Sequence, residues 1–364
     1  LRNSGSGLLT LSGGITGTGN LMVRGAGNVT ESGVLNYVGT LTRTDSSTLT
    51  LSNPANSFGN AAVAAGTLSV NSIANAGLTC ALGAGSTIAL GQNSFFTTGT
   101  LQFTGPGGGS SDRAIIVMSN AGGTNGGIIE NTVAGQTLTL SGDVTTGGSG
   151  TTPTLQFAGA GNGAMSGVIS GMGLALTKSG AGTWTLSGSN TFTGATTIGA
   201  GTLRLSGGNN RLPAATAVNF TGGATLDVGA TSQTIANVVL AGSATFAVNG
   251  AGGALDVTGG ATIVIANGSG VTAALSLNGL TATLNPVIYG AYNHSGLAPA
   301  ATATLLVNSG TLNATQIVMA DGYYTGGAFA PPVSGTLTID SGTLKVATLT
   351  MANRYWSSGS VNVR

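Results

Sequence analysis

Charge is the scarcest commodity in this chain. Of 364 residues, 10 are Lys or Arg and 9 are Asp or Glu, against about a quarter charged in an ordinary soluble domain. With a net charge of +1 there is no basic stripe to hold nucleic acid, and such a surface repels its own copies weakly. No apolar run approaches the ~18 residues of a transmembrane helix. No signal peptide is visible, and the first residue is Leu1 rather than Met, so the N-terminus reads as processed or trimmed. Cys80 is the single cysteine, which excludes an internal disulfide. In "GLTCALG", Leu78, Cys80 and Leu82 fall on one face of an alternating strand, which reads as a buried thiol with no cation in view to activate it.

The chemistry of an enzyme is equally thin. His294 is the single histidine; a triad would have to use it, and there is no G-x-S-x-G elbow, so it reads as a loop residue. No Cys/His cluster suggests zinc, no acidic Gly-rich nonapeptide suggests calcium, and no G-x-G-x-x-G opens a helix. The nine acids, Glu31, Asp45, Asp112, Glu130, Asp143, Asp227, Asp256, Asp321 and Asp340, are dispersed and read as solvated charges. We therefore expect no catalytic, cofactor-binding or metal-binding residues and no enzyme. A polysaccharide-acting β-helix enzyme, which would gather acids and bases on one face, is the least supported reading.

What the chain does have is 65 glycines, 41% hydrophobic residues and a recurring five-residue burst. "STLTL" (47–51), "GTLSV" (66–70), "GTLQF" (99–103), "GTWTL" (182–186), "GTLRL" (201–205) and "GTLKV" (342–346) each alternate a small polar residue with a large apolar one. That period of two is the mark of a half-buried strand. Gly, Ser and Asn cluster between bursts, where turns need positive φ or side-chain bonds to backbone. No stretch of useful length has a 3.6-residue period, so the expected fold is all-β.

Internal repetition selects among all-β architectures. Segment 41–70, "LTRTDSSTLTLSNPANSFGNAAVAAGTLSV", aligns without gaps with 176–205, "LTKSGAGTWTLSGSNTFTGATTIGAGTLRL", at an offset of 135, so that Arg43 matches Lys178 and Gly66 matches Gly201. Segment 304–324 aligns with 336–356 at an offset of 32, matching Met319 with Met351 and Tyr323 with Tyr355. A unit this small cannot bury its own apolar face; stacked copies can. The expectation is a right-handed parallel β-helix, an elongated rod with roughly 20–30 residues per turn and on the order of 12–18 turns. Leu, Val, Ile and Phe columns would lie inside and Thr, Ser and Asn columns outside. Like charges on adjacent turns would lie within ~5 Å, which accounts for the scarcity of ions. The whole chain, 1–364, reads as one continuous solenoid, with one repeat type over 1–270 and the 32-residue repeat over 271–364. Neither end shows a capping helix, which suggests that rods stack head to tail.

One feature suggests a binding surface. Tyr292, Tyr324 and Trp356 recur every 32 residues, with Tyr323 and Tyr355 beside two of them. Adjacent residues on a strand face opposite ways. One aromatic column therefore either stacks in the core or is presented outward to sugar rings or a neighbouring chain.

The run from Leu176 to Gly208, "LTKSGAGTWTLSGSNTFTGATTIGAGTLRLSGG", resembles the autotransporter-associated β-strand repeat of bacterial passenger proteins. Trp184 and Phe192 stand where that pattern usually has Leu and Tyr. "GVISGMGLALTKSGAG" (167–182) and "LLTLSGGITGTGNLMVRGAG" (8–27) are similar to the family, and 41–70 resembles a degenerate copy. The resemblance implies a secreted, surface-displayed β-helix of a Gram-negative-type bacterium, serving as stalk, adhesin or fibre; it fits a chain without disulfides. The family's C-terminal translocating barrel has no counterpart in these residues. The expected function is a structural extracellular fibre or stalk that self-associates end to end. The alternative is an adhesin that binds surface glycans or host and neighbour cells.

Overall fold

In the computed structural model the chain is described except for residues 94–96, 120–124, 151, 268–269, 294–299, 323–332 and 353–356. The described residues form strands joined by turns, with no helix among them. They divide into two compact units, Leu1–Gly194 and Ala195–Arg364.

The first unit is a coil of parallel strands. One column runs through Leu9–Leu11, Val29–Glu31, Thr48–Leu51, Gly66–Val70, Gly99–Phe103, Gly126–Asn131, Thr154–Ala158 and Ala175–Lys178. A second runs through Leu21–Val23, Leu41–Arg43, Ala61–Val63, Thr87–Leu90, Ala114–Ser119 and Val144–Gly148. A third face begins with the pair Ile15–Gly17 and Leu35–Tyr37. A further column comprises Gly109–Ser111, Thr137–Leu140, Asn162–Met165 and Thr183–Leu186. Each turn of chain thus pairs with the turn before it. The spacing is 20 residues at Val29↔Leu49, widens to 33 at Gly66↔Gly99, and returns to 21 at Leu155↔Leu176. The widest turn holds the strandless segment 71–86.

Strand alternation builds the core. Leu41, Ala61, Ile88, Ile115, Val144 and Ile169 are in register on successive turns and all buried; each large apolar side chain contributes about 1.5–3 kcal/mol by leaving water. The intervening positions face out, as in the column Thr10, Thr30 and Thr50. Aromatic rings stack between turns: Tyr37 on Phe58 at 5.7 Å and Phe157 on Trp184 at 4.1 Å. Trp184 also lies opposite Gly163, where a Cβ would come within 2.2 Å of the indole ring.

The second unit repeats the scheme. Gly201–Leu205, Ala224–Gly229, Thr245–Gly250, Thr272–Asn278, Ala301–Asn308, Val333–Asp340 and Ser357–Val363 form one parallel column. Ser232–Ile235, Ala254–Val257, Thr281–Leu284 and Thr311–Gly322 lead another. The 32-residue repeat is a register: Thr304 pairs with Thr336, Leu305 with Leu337, and Thr311 with Thr343. Outside, Asn249, Asn278, Asn308 and Asp340 share a column, and Asn278 Nδ2 donates to Asn249 Oδ1 at 2.7 Å. The architecture is a parallel β-solenoid, as the burst pattern implied.

Candidate functional site: buried cations in the coil corners and the outer faces

The two long sequence repeats place a cation inside the core. Leu41 faces inward, so period two places Arg43 inward as well, between Val23 and Val63 in register. Its side chain is 1% exposed. The guanidinium donates from Nε to Ser47 O at 3.0 Å, from Nη1 to Val23 O at 3.0 Å and from Nη2 to Gly25 O at 3.2 Å. It also contacts Ser47 Oγ, which lies 2.8 Å from Gly27 O. Burial lowers the Arg43 pKa, and nearby Asp45 opposes that shift. Lys178 follows the same parity, in register with the inward column Leu101, Ile129 and Phe157. It is 0% exposed, and Nζ donates to Ser179 O and Gly180 O, each at 2.8 Å. Burial lowers its pKa to about 8.

A third buried cation was not visible as a repeat. Arg113 donates to Ala74 O at 3.1 Å, Leu82 O at 2.9 Å and Gly83 O at 2.6 Å, cinching the strandless segment. These three side chains satisfy carbonyls where the chain turns away from its sheet, groups that would cost about 1–3 kcal/mol each if buried without a partner. Their chemistry is structural: they hold corners.

The corners correct two sequence expectations. Cys80 is buried, at 3% exposed, but it lies in a turn rather than a strand. Leu78 does not share its face, being 57% exposed. The thiol donates to Gly83 O at 3.2 Å and sits 3.5 Å from Arg113 Nη2, a cationic neighbour that a separation of 33 residues concealed. Glu31, expected to be solvated, is buried in an inward column between Leu11 and Leu51. There Oε1 accepts the Gly33 N–H at 2.7 Å, and burial raises its pKa. It occupies an apolar slot because a corner N–H needs an acceptor. Asp321 is buried too. Asp227 faces outward as expected and pairs with Arg204 at 2.7 Å.

Of the aromatic series, Tyr324 and Trp356 lie outside the described residues, as do Tyr323, Tyr355 and His294. Tyr292 belongs to the strand Ile288–Asn293, and its backbone is in register with Asp321, 29 residues on. The 32-residue step therefore does not extend back to it. Among the described residues no three His, Cys, Asp or Glu side chains gather as a metal site, and no helix is long and apolar enough to cross a membrane.

Parallel coils, columns of like residues and repeat-encoded corners define a β-solenoid repeat protein. Comparison with known proteins gives its kind. The passenger-associated-transport-repeat family matches residues 41–70 and 176–205, the two segments aligned above. The Adhesin BmaC autotransporter of Brucella suis biovar 1 (strain 1330) is 33% identical over 303 residues, covering 77% of this chain and 8% of that protein. The chain thus spans 8% of the length of the curated relative it matches. No solved structure matches. The chain is a β-solenoid that carries two passenger-associated-transport repeats and resembles an autotransporter adhesin.

Proposed function

We propose that this chain is a stalk segment of a bacterial surface adhesin, displayed outside the cell and carrying no catalysis of its own. The observation that carries the reading is the unbroken succession of parallel registers within each unit, with inward apolar columns and carbonyls tied at the corners. Such a coil transmits position along its axis, because every turn is hydrogen-bonded to the next. Similarity to an adhesin autotransporter supports surface display. Display of the parent protein on cells, with an antibody against this segment, tests it: labelling of intact cells is expected, and a signal only after lysis would overturn it.

The finer proposal is that copies associate into fibres. It is supported by a net charge of +1 over 364 residues, which leaves little repulsion between copies. Sedimentation of the purified chain at rising concentration is expected to show growing species; a monomer throughout would remove the fibre reading and leave the stalk. A second reading, adhesion to surface glycans or cells through Tyr292, Tyr324 and Trp356, is favoured by the adhesin relative. Replacing Tyr324 and Trp356 by Ala should then abolish cell attachment without altering display.

A further inference from the structure

Among the described residues, like charges do not face each other on neighbouring turns, with one exception. Arg2 and Arg24 form a parallel bridge between consecutive turns, placing two guanidinium side chains one strand spacing apart, about 4.8 Å at the backbone. Both are exposed. The ion pair found among the described residues, Arg204 with Asp227, involves neither of them. The two arginines border a cleft of about 570 Å³ whose walls include Met22, Thr44, Asp45 and Gln92. The Arg24 guanidinium lies over Met22, with Nη2 2.7 Å from its sulfur. Asp45 is already engaged: its carboxylate accepts the Gly25 N–H and its charge is felt by buried Arg43.

Placing two cations side by side is unfavourable unless an anion joins them. Arg presents a planar fork that suits carboxylate and sulfate oxygens. Thr44 and Gln92 add neutral hydrogen-bonding groups of the kind that take sugar hydroxyls. A chain of net charge +1 cannot make the many phosphate contacts on which nucleic-acid affinity depends. We propose that Arg2 and Arg24 form a binding site for an acidic polysaccharide, one acidic group seated across the pair and the sugar ring lying in the cleft. The site deepens the adhesive reading above and adds a contact surface separate from the aromatic series.

The test is calorimetry of the purified chain with oligogalacturonate, dextran sulfate and neutral dextran, the first two separating carboxylate from sulfate as the group recognised. Binding of at least one acidic probe, but not dextran, is expected. R2Q/R24Q should weaken it at least tenfold with an unchanged melting temperature, and R204Q, on a different strand column, should leave it within twofold. Binding of neither acid, equal binding by R2Q/R24Q, or equal loss in R204Q would overturn the site. Cells bearing the parent protein that still adhere while the purified chain binds no acid would sink this site and leave the adhesive reading standing.

Discussion

The two sequence repeats are the same local structure set on different faces of the coil. Their strands coincide at an offset of 135: Leu41–Arg43 with Ala175–Lys178, Thr48–Leu51 with Thr183–Leu186, Ala61–Val63 with Thr196–Ile198, and Gly66–Val70 with Gly201–Leu205. Gly66 and Gly201 both take a left-handed φ, 71° and 64°, which explains why each "GTL" begins with glycine. Yet Leu41–Arg43 lies in the column with Leu21–Val23, whereas Ala175–Lys178 lies in the column with Leu9–Leu11. The later copy is advanced by one face. A repeat therefore encodes a strand, a corner and a strand, and is indifferent to which side of the solenoid it occupies.

The corners differ in the cradle built around the cation. Arg43 ties its own turn to the preceding one through Val23 O and Gly25 O, with Ser47 completing the cradle. Lys178 donates to Ser179 O and Gly180 O in its own turn, and Gly182 stands where the earlier repeat has Ser47. A Cβ at Gly182 would come within 1.9 Å of Gly161 O, so the cradle cannot be transplanted.

The largest effect should come from the Arg43 corner, whose bonds join two turns. Arg43→Met leaves carbonyls of two turns unpaired and is expected to cost about 3–5 kcal/mol, as for breaking one side of a buried polar cluster. Guanidinium melts followed by far-ultraviolet circular dichroism would show it; a cost under about 1 kcal/mol would make the two corners equivalent.

Lys178 gives an intermediate effect with a definite sign. Its pKa falls from 10.5 unfolded to about 8 folded, so the unfolded chain binds more protons between those values and stability rises as pH increases from about 8 to 10.5. The gain should be on the order of 3 kcal/mol. Trp184, stacked on Phe157 beside this corner, provides a fluorescence probe. Lys178→Met should lie within about 1 kcal/mol of the parent at pH 7, since removing a buried charge offsets the lost bonds, and should lose the alkaline rise. A rise that persists in the variant would assign it to another group.

The smallest change makes the first corner resemble the second. Ser47→Gly removes the hydroxyl between Arg43 and Gly27 O and should cost about 1 kcal/mol. A cost as large as that of Arg43→Met would show that the serine, not the arginine, holds the two turns together.

Much of this was legible from spacing alone. The offset of 32 between 304–324 and 336–356 became the register Thr304↔Thr336 because a parallel pairing preserves sequence phase. The parity of "LTR" and "LTK" is the signal that would have put Arg43 and Lys178 on the side of the leucines, but their charge argued for solvent. The gap-free alignment hid a slip. Asn56 and Asn190, 134 apart, perform the same task, accepting the N–H of Leu35 at 2.9 Å and of Ile169 at 2.8 Å. Phe58 and Phe192, also 134 apart, are both buried. A one-residue shift inside a turn is free to occur where no ladder fixes the register. Arg113 with Cys80, and Glu31 between two leucines, were illegible because each depends on a neighbour contributed by another turn or on a single unpaired N–H.

By itself, then, the sequence determined where the alternating bursts form strands, which of their apolar side chains point inward and where glycine must turn the chain, since these follow from alternation and local sterics over a few residues. Only the tertiary structure decided which face each repeat occupies and which distant residues meet. That phase is the accumulated length of every intervening turn, and turns of 20 to 33 residues carry it forward in unequal steps that no local rule records.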